Sequence, residues 1–326
     1  MKHISSLGLA LCALAATATT ATHAADKYPS KPVRLVVPFS PGGGNDIAAR
    51  FVAVRLTEGF NQSAVVDNRP GAGSTLGTDL VAKSVPDGYT LLVTHNAIAI
   101  NQTLYSKLPY DTTRDLTQVA IIGTTTNTLV VNPGVPVKTT KELIALAKAK
   151  PGALNYASTG GGGTSHLAME YFRIETGTNL VHIPYKGTAP GLTDVVGNQV
   201  QVMISALPGT VPFINSKRVV ALATTGKTRW SGLPDLPSIA EAGFPSVVYA
   251  PSVGFLAPSG TPREIVNRIN AEVAKGANDP EMVKTFYPRW GLDPEILSAD
   301  AFHTRYIGEI EAFRKVVRDA KIPQID

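Results

Sequence analysis

Val33-Arg34-Leu35-Val36-Val37-Pro38-Phe39 runs into Ser40-Pro41-Gly42-Gly43-Gly44-Asn45-Asp46, and Ile47 to Leu56 follows with apolar residues at helical spacing. A β-branched run, a glycine loop and a helix start make one βα unit, the building block of parallel sheets flanked by helices. The order recurs. Ala64 to Val66 reads as a strand, Pro70-Gly71-Ala72-Gly73-Ser74 as a loop, Thr75 to Ser84 as a helix and Tyr89 to Thr94 as a strand. Asn155 to Ser158, Thr159 to Gly163 and Ser165 to Thr176 repeat strand, loop and helix. Leu180 to Tyr185, Val200 to Ser205, Val219 to Thr225 and Ser252 to Leu256 complete the strand series, with helices near Leu192 to Val196 and Pro208 to Ile214. Thr139 with Glu142 and Thr261 with Glu264 have capping-box spacing, the second with Pro262 at the first helical position. Ile265, Ile269 and Val273 share one helical face, and Phe302, Tyr306, Ile310, Phe313 and Val317 another, both read as core.

The chain has 326 residues, 44% hydrophobic and 17% charged, with a formal net charge of +5, which places it among folded proteins of about two domains. Met1-Lys2-His3, an apolar run from Ile4 to Thr19 and Thr22-His23-Ala24 compose a Sec-type signal peptide over residues 1–24. The single cysteine, Cys12, falls inside that leader, which excludes disulfide scaffolds and cysteine chemistry from a processed chain. No later segment approaches the roughly 18 uninterrupted apolar residues of a membrane helix. No Lys/Arg cluster marks a nucleic-acid surface. A Pro-rich passage from Leu233 to Pro251 interrupts the βα pattern. With crossings near Val130 to Pro133 and Tyr249 to Ser252, the expected division is residues 25–130 plus 251–326 as a discontinuous first domain and 131–250 as the second.

A glycine loop that opens a helix directs unpaired backbone N–H groups and the positive end of the helix dipole at one point, where an anion binds. Loops 40–45 and 159–164 qualify in the two halves, and loop 70–74 is a third candidate. No Walker lysine motif is present, and Leu76 stands where the dinucleotide fingerprint needs its third glycine, so no nucleotide cofactor is expected. His166 precedes Glu170 by four residues, a metal-compatible spacing, but no third ligand joins them, and Ser165 beside His166 lacks a nucleophile elbow. No metal and no catalytic residue is assigned. Asp46 at a helix start is read first as a partner of the dipole.

Several stretches carry a family likeness. They are Tyr28-Pro29-Ser30-Lys31-Pro32-Val33, Val37-Pro38-Phe39 with Pro41-Gly42-Gly43 and Asp46, Val66-Asp67-Asn68-Arg69-Pro70-Gly71-Ala72-Gly73, and Pro86-Asp87-Gly88-Tyr89-Thr90-Leu91. In the second half come Ser158-Thr159-Gly160 to Ser165-His166-Leu167, Ile183-Pro184-Tyr185-Lys186-Gly187, Leu233-Pro234-Asp235-Leu236-Pro237-Ser238, Glu241-Ala242-Gly243 and Ala257-Pro258-Ser259-Gly260-Thr261-Pro262. Together these stretches resemble the Bug (Bordetella uptake gene) receptors, the periplasmic solute-binding subunits of tripartite tricarboxylate transporters.

The resemblance implies a two-domain α/β Venus flytrap, each domain a mostly parallel sheet flanked by helices, that closes on a small di- or tricarboxylate or an aromatic carboxylate. It implies no enzymatic activity, a periplasmic location, a monomer, and membrane permease subunits as partners. The binding residues it implies are Phe39, Ser40, Gly42, Gly43, Gly44, Asn45 and Asp46 in the first domain and Ser158, Thr159, Gly161, Gly162, Thr164, Ser165 and His166 in the second. Gly73, Ser74, His95, Tyr185 and Ser205 are further candidates. Related receptors often carry an acid in the strand before the Leu-Pro turn, whereas this chain reads Ile204-Ser205-Ala206-Leu207-Pro208, which argues against an amino-acid ligand. Two rival readings are a ligand-sensing partner of a sensor kinase and an exported α/β enzyme using His166 with Glu170 or Asp46.

Overall fold

The computed structural model describes residues 28–326 except 162–163, 227, 231, 248–250, 288–291, 320–321 and 326. The expected leader and Gly162 lie outside the described residues. Along the chain come β1 (Val33–Val37), β2 (Ala64–Asn68), β3 (Thr90–His95), β4 (Leu116–Thr125), β5 (Asn127–Val131), β6 (Asn155–Ser158), β7 (Val181–Pro184), β8 (Val202–Ala206), β9 (Val220–Thr224), β10 (Ser252–Pro258) and β11 (Leu292–Leu297). They build two sheets, ordered β11-β4-β10-β3-β1-β2 and β7-β6-β8-β5-β9. The helices are α1 (Gly44–Phe60), α2 (Thr75–Ala82), α3 (Ala97–Leu104), α4 (Thr140–Ala149), α5 (Thr164–Thr176), α6 (Thr188–Val196), α7 (Leu207–Asn215), α8 (Arg263–Ala277) and α9 (Ala299–Asp319).

Both sheets are mixed, where the βα units predict mostly parallel ones. β2 and β3 flank β1 in parallel, and β7 and β8 flank β6 in parallel. β10, however, runs antiparallel to β3 and β4, β11 to β4, and β5 to β8 and β9. The reason lies in the path between sheets. β4 and β5 are separated only by Thr126, so the chain leaves the first sheet at Thr125 and enters the second at Asn127, ahead of the expected crossing. A strand that departs to another sheet has no helical crossover back into its own, and nothing then requires a parallel neighbour.

Each sheet is covered on both faces, and strand alternation sorts the side chains. Val33, Leu35 and Val37 of β1 pack with α1 and α8 residues such as Val52, Leu56, Ile269 and Val273, while Val36 faces Phe302, Tyr306, Ile310 and Phe313 of α9. The two predicted helical stripes are therefore core. In the second sheet Val202 and Ile204 face Leu143, Met169 and Phe172, while Met203 faces Leu192 and Val195. Leu167 of α5 packs in the first sheet's α9-side cluster, tying the two halves together.

Helix starts follow local chemistry in part. The Thr139 hydroxyl accepts the Glu142 N–H at 3.2 Å, and the Glu142 carboxylate reaches back to the Lys138 N–H at 2.6 Å. The box expected at Thr261 does not form. Its hydroxyl donates to the Pro258 carbonyl at 2.7 Å, and α8 begins after Pro262 without a side-chain cap.

Candidate functional site

One cavity is lined from both sheets. Phe39, Gly43, Gly44, Asn45 and His95 come from the first sheet's side, and Asn127, Thr159, Thr164, Ser165, Thr188 and Ala206 from the second, with Pro251 and Val253 completing the wall. The starts of α1, α5, α6 and α7 meet here. Gly43, Gly187 and Ala206, the N-cap residues of α1, α6 and α7, make no side-chain cap. First-turn N–H groups are thereby left for a guest, with the helix dipoles favouring an anion. α7 supplies least, because the Leu207 N–H is bonded to the Thr126 carbonyl at 3.0 Å and Pro208 has none to offer.

The cavity acts by dipoles rather than by charges. Its described lining includes no Lys, Arg, Asp or Glu. His95 stacks obliquely on Phe39, with ring centroids 4.8 Å apart, and burial pushes its imidazole down to about 3, so it is neutral across the physiological range.

Asp46 belongs to the scaffold of the first loop rather than to the lining. Its carboxylate accepts the Gly42 N–H at 2.9 Å, Arg50 Nε at 3.0 Å and Asn68 Nδ2 at 3.0 Å, and the same Asn68 amide donates to the Phe39 carbonyl at 3.1 Å. This clamp bends the loop back over the first turn of α1, with Gly42 at φ +80°, a conformation that favours glycine. In the second loop the Ser165 hydroxyl does the equivalent work, accepting the Thr159 N–H at 2.8 Å and lying 3.0 Å from the Thr159 hydroxyl.

Ser40, Gly73 and Gly161 lie where the two halves touch. The Ser40 N–H and hydroxyl both donate to the Lys186 carbonyl, at 3.1 and 2.8 Å. The Tyr105 hydroxyl donates to the Gly161 carbonyl at 2.6 Å, and a Cβ added to Gly73, at φ +58°, would meet that same carbonyl at 1.9 Å. Only glycine allows this approach.

The other expected residues have their polar groups bonded within the protein. Ser74 accepts from Asn101 Nδ2 at 3.2 Å, Ser205 from the Thr210 hydroxyl at 2.8 Å, and Tyr185 donates to Asp194 at 2.7 Å. Burial together with Asp194 pushes the Tyr185 phenol up to about 12. The Ser158 hydroxyl lies 2.6 Å from His182 Nε2. His182 is stacked between Tyr156 and His166, at 4.9 and 4.2 Å between centroids. Burial lowers the affinity of both imidazoles for a proton, His182 to about 4, where neighbouring His166 adds to the effect and Glu170 opposes it. Glu170 is taken by the Tyr156 hydroxyl and by Arg173 at 2.6 Å. Glu170 is thus committed to Tyr156 and Arg173, and no group of three metal-ligating side chains occurs among the described residues.

Of the expected residues, the structure gathers Phe39, Gly43, Gly44, Asn45, His95, Thr159, Thr164 and Ser165 around the cavity. It adds Asn127, Thr188, Ala206, Pro251 and Val253. Thr188 had a readable signal, since Lys186-Gly187 ahead of an apolar helix is a glycine loop like the other two. Asn127 had none, because its place depends on where the chain changes sheets.

A family model described as the tripartite tricarboxylate transporter family receptor matches residues 48–318. Protein BugT of Bordetella pertussis is 35% identical over 308 residues, covering 94% of each chain. Among solved structures, an R. palustris protein with adipate is 35% identical with a TM-score of 0.88, covering 91% of this chain and all of its own. MatC from Rhodopseudomonas palustris with bound malate is 29% identical with a TM-score of 0.84, covering 89% of this chain and all of its own. These relatives are solute-binding proteins rather than enzymes, and the two-domain α/β fold of periplasmic binding proteins is theirs and this chain's. With its family model spanning most of its length and its helix starts converging on one cavity, the chain belongs to the Bug group of tripartite tricarboxylate transporter family receptors.

Proposed function

We propose that this protein captures a small di- or tricarboxylate, aromatic diacids included, between two domains in the periplasm and delivers it to membrane permease subunits of a tripartite tricarboxylate-type transporter. The observation that carries the reading is the convergence of helix N-termini from both sheets on a cavity without an ionised side chain among its described lining. Neutral donors hold a carboxylate without leaving a buried cation unpaired once the ligand departs. The adipate and malate bound in two similar proteins support the ligand class.

With β5 in the second sheet, the domains are residues 25–126 with 251–326, and 127–250, following a leader over residues 1–24. The receptor works as a monomer. Gly43, Gly44, Asn45, Thr164, Ser165 and Thr188 donate to the carboxylate, while Phe39 and the neutral His95 wall it from water. Ser40, Gly73 and Gly161 bear on closure, because they touch the opposite half. A ligand that gains donors from both halves only when they meet shifts the population to the closed form, which then presents a composite surface to the permease.

Calorimetric titration of the processed chain with mono-, di- and tricarboxylates tests the reading. A ligand at about 100 times its Kd adds about 2.7 kcal/mol of stability, seen as a raised unfolding temperature. The absence of heat and of stabilisation across the series, with protein shown free of co-purified ligand, overturns it.

A further inference from the structure

Asn127 is the first residue of β5, one step past the point where the chain changes sheets, and it is 1% exposed. Its backbone is committed. The N–H donates to the Thr225 hydroxyl at 3.0 Å, and the carbonyl accepts the Thr225 N–H at 2.7 Å. The residue is among those that line the cavity, and its Nδ2 amide is buried with no hydrogen-bond partner. A native fold satisfies nearly all of its buried donors, so one left unpartnered in a residue that lines a binding cavity points to a partner that arrives with the guest.

That partner is an acceptor beyond the first carboxylate. One carboxylate offers about four lone-pair sites. The helix starts at Gly44, Asn45, Thr164, Ser165 and Thr188 suffice to fill them, and all belong to elements other than β5. The amide is a donor, and the surrounding helix dipoles also favour negative charge, so a cation has no stabilising partner there.

We infer that Asn127 is the selectivity donor of the cavity: its Nδ2 amide donates to a second acceptor oxygen of the ligand, favouring diacids over monoacids and rejecting ligands with an ammonium group at that end. This rests on the di- and tricarboxylate reading above and deepens it by naming the residue that reads the second acidic group.

The test uses matched pairs: succinate and butyrate, glutarate and valerate, adipate and hexanoate, terephthalate and benzoate, with aspartate set against succinate. Calorimetric titration of the wild-type protein is expected to give at least one pair in which the diacid binds tenfold or more tightly than the monoacid, with aspartate weaker than succinate. In Asn127→Leu, close to asparagine in size, that ratio is expected to fall below about threefold. Asn127→Asp, which keeps the shape but places a carboxylate at the donor, is expected to weaken the diacid by a hundredfold or more and to narrow the gap to aspartate. A diacid-to-monoacid ratio unchanged in both variants overturns the inference and leaves the carboxylate reading standing. Binding of none of these acids by the wild-type protein overturns both. Should Asn127→Leu fail to fold, Asn127→Asp, checked by its circular dichroism, decides alone.

Discussion

The two glycine loops that face each other across the cavity look alike in sequence and are braced differently. The first is drawn around an ion: Asp46 holds the Gly42 N–H, Arg50 and Asn68 at once, and its carboxylate is almost wholly buried. The second is braced by neutral hydroxyls, Ser165 against Thr159, above the stacked imidazoles of His166 and His182. Both solutions leave backbone donors open to a guest. The first concentrates its stability in one charged residue. The second spreads it over weak bonds and makes it depend on the imidazoles staying neutral.

The largest effect is expected from filling the first loop's open face. Gly43 has φ −82° and ψ 168°, an extended conformation that valine adopts readily, and an added Cβ would lie 3.7 Å from the Thr188 Cβ across the cavity. Gly43→Val should lower carboxylate affinity at least a hundredfold, about 2.7 kcal/mol, with a urea midpoint close to the wild-type value. An unchanged Kd by calorimetry would remove this loop from the site. Asp46→Ala comes next. It strips the partner from Gly42 and from a half-exposed Arg50, and should cost about 2 kcal/mol in urea denaturation, with weakened binding because the loop loses its shape.

The matching change in the second loop, Ser165→Ala, removes one neutral acceptor and should cost about 1 kcal/mol. If it costs as much as Asp46→Ala, the contrast between a charged and a neutral brace fails. The last test is pH. His182 is held down to about 4 against an ordinary value of 6.5, so between those values the unfolded chain binds more protons than the folded one. Stability is then greatest above about 6.5 and declines as pH falls toward about 4. Between pH 7 and 5 this histidine's share should be on the order of 1 kcal/mol, and His182→Asn should flatten that part of the thermal-unfolding profile.

Much of the fold was legible in the residues because it follows from local rules. The run Val33 to Val37 ahead of Gly42-Gly43-Gly44 marked β1 and the start of α1, and the stripe from Phe302 to Val317 marked the buried face of α9. The mixed pairing was not legible, since strand direction depends on which sheet each strand joins, and one residue, Thr126, makes that change. The loop residues were visible by type, but their division of labour was not. Asp46, Ser74 and Ser205 carry oxygens suited to a ligand, and all three have them bonded within the protein.

By itself, the sequence determined that strands end in glycine loops that open helices, and hence that backbone donors and helix dipoles would be offered to an anion. Those are properties of adjacent residues, set by backbone sterics and by the unpaired N–H groups of any helix start. Only the tertiary structure decided which of those starts converge, that Gly73 meets Gly161 backbone to backbone, and that Asn127 is left with a buried, unspent amide. Each depends on residues far apart along the chain, whose meeting is set by the packing of two sheets and by the short path between β4 and β5.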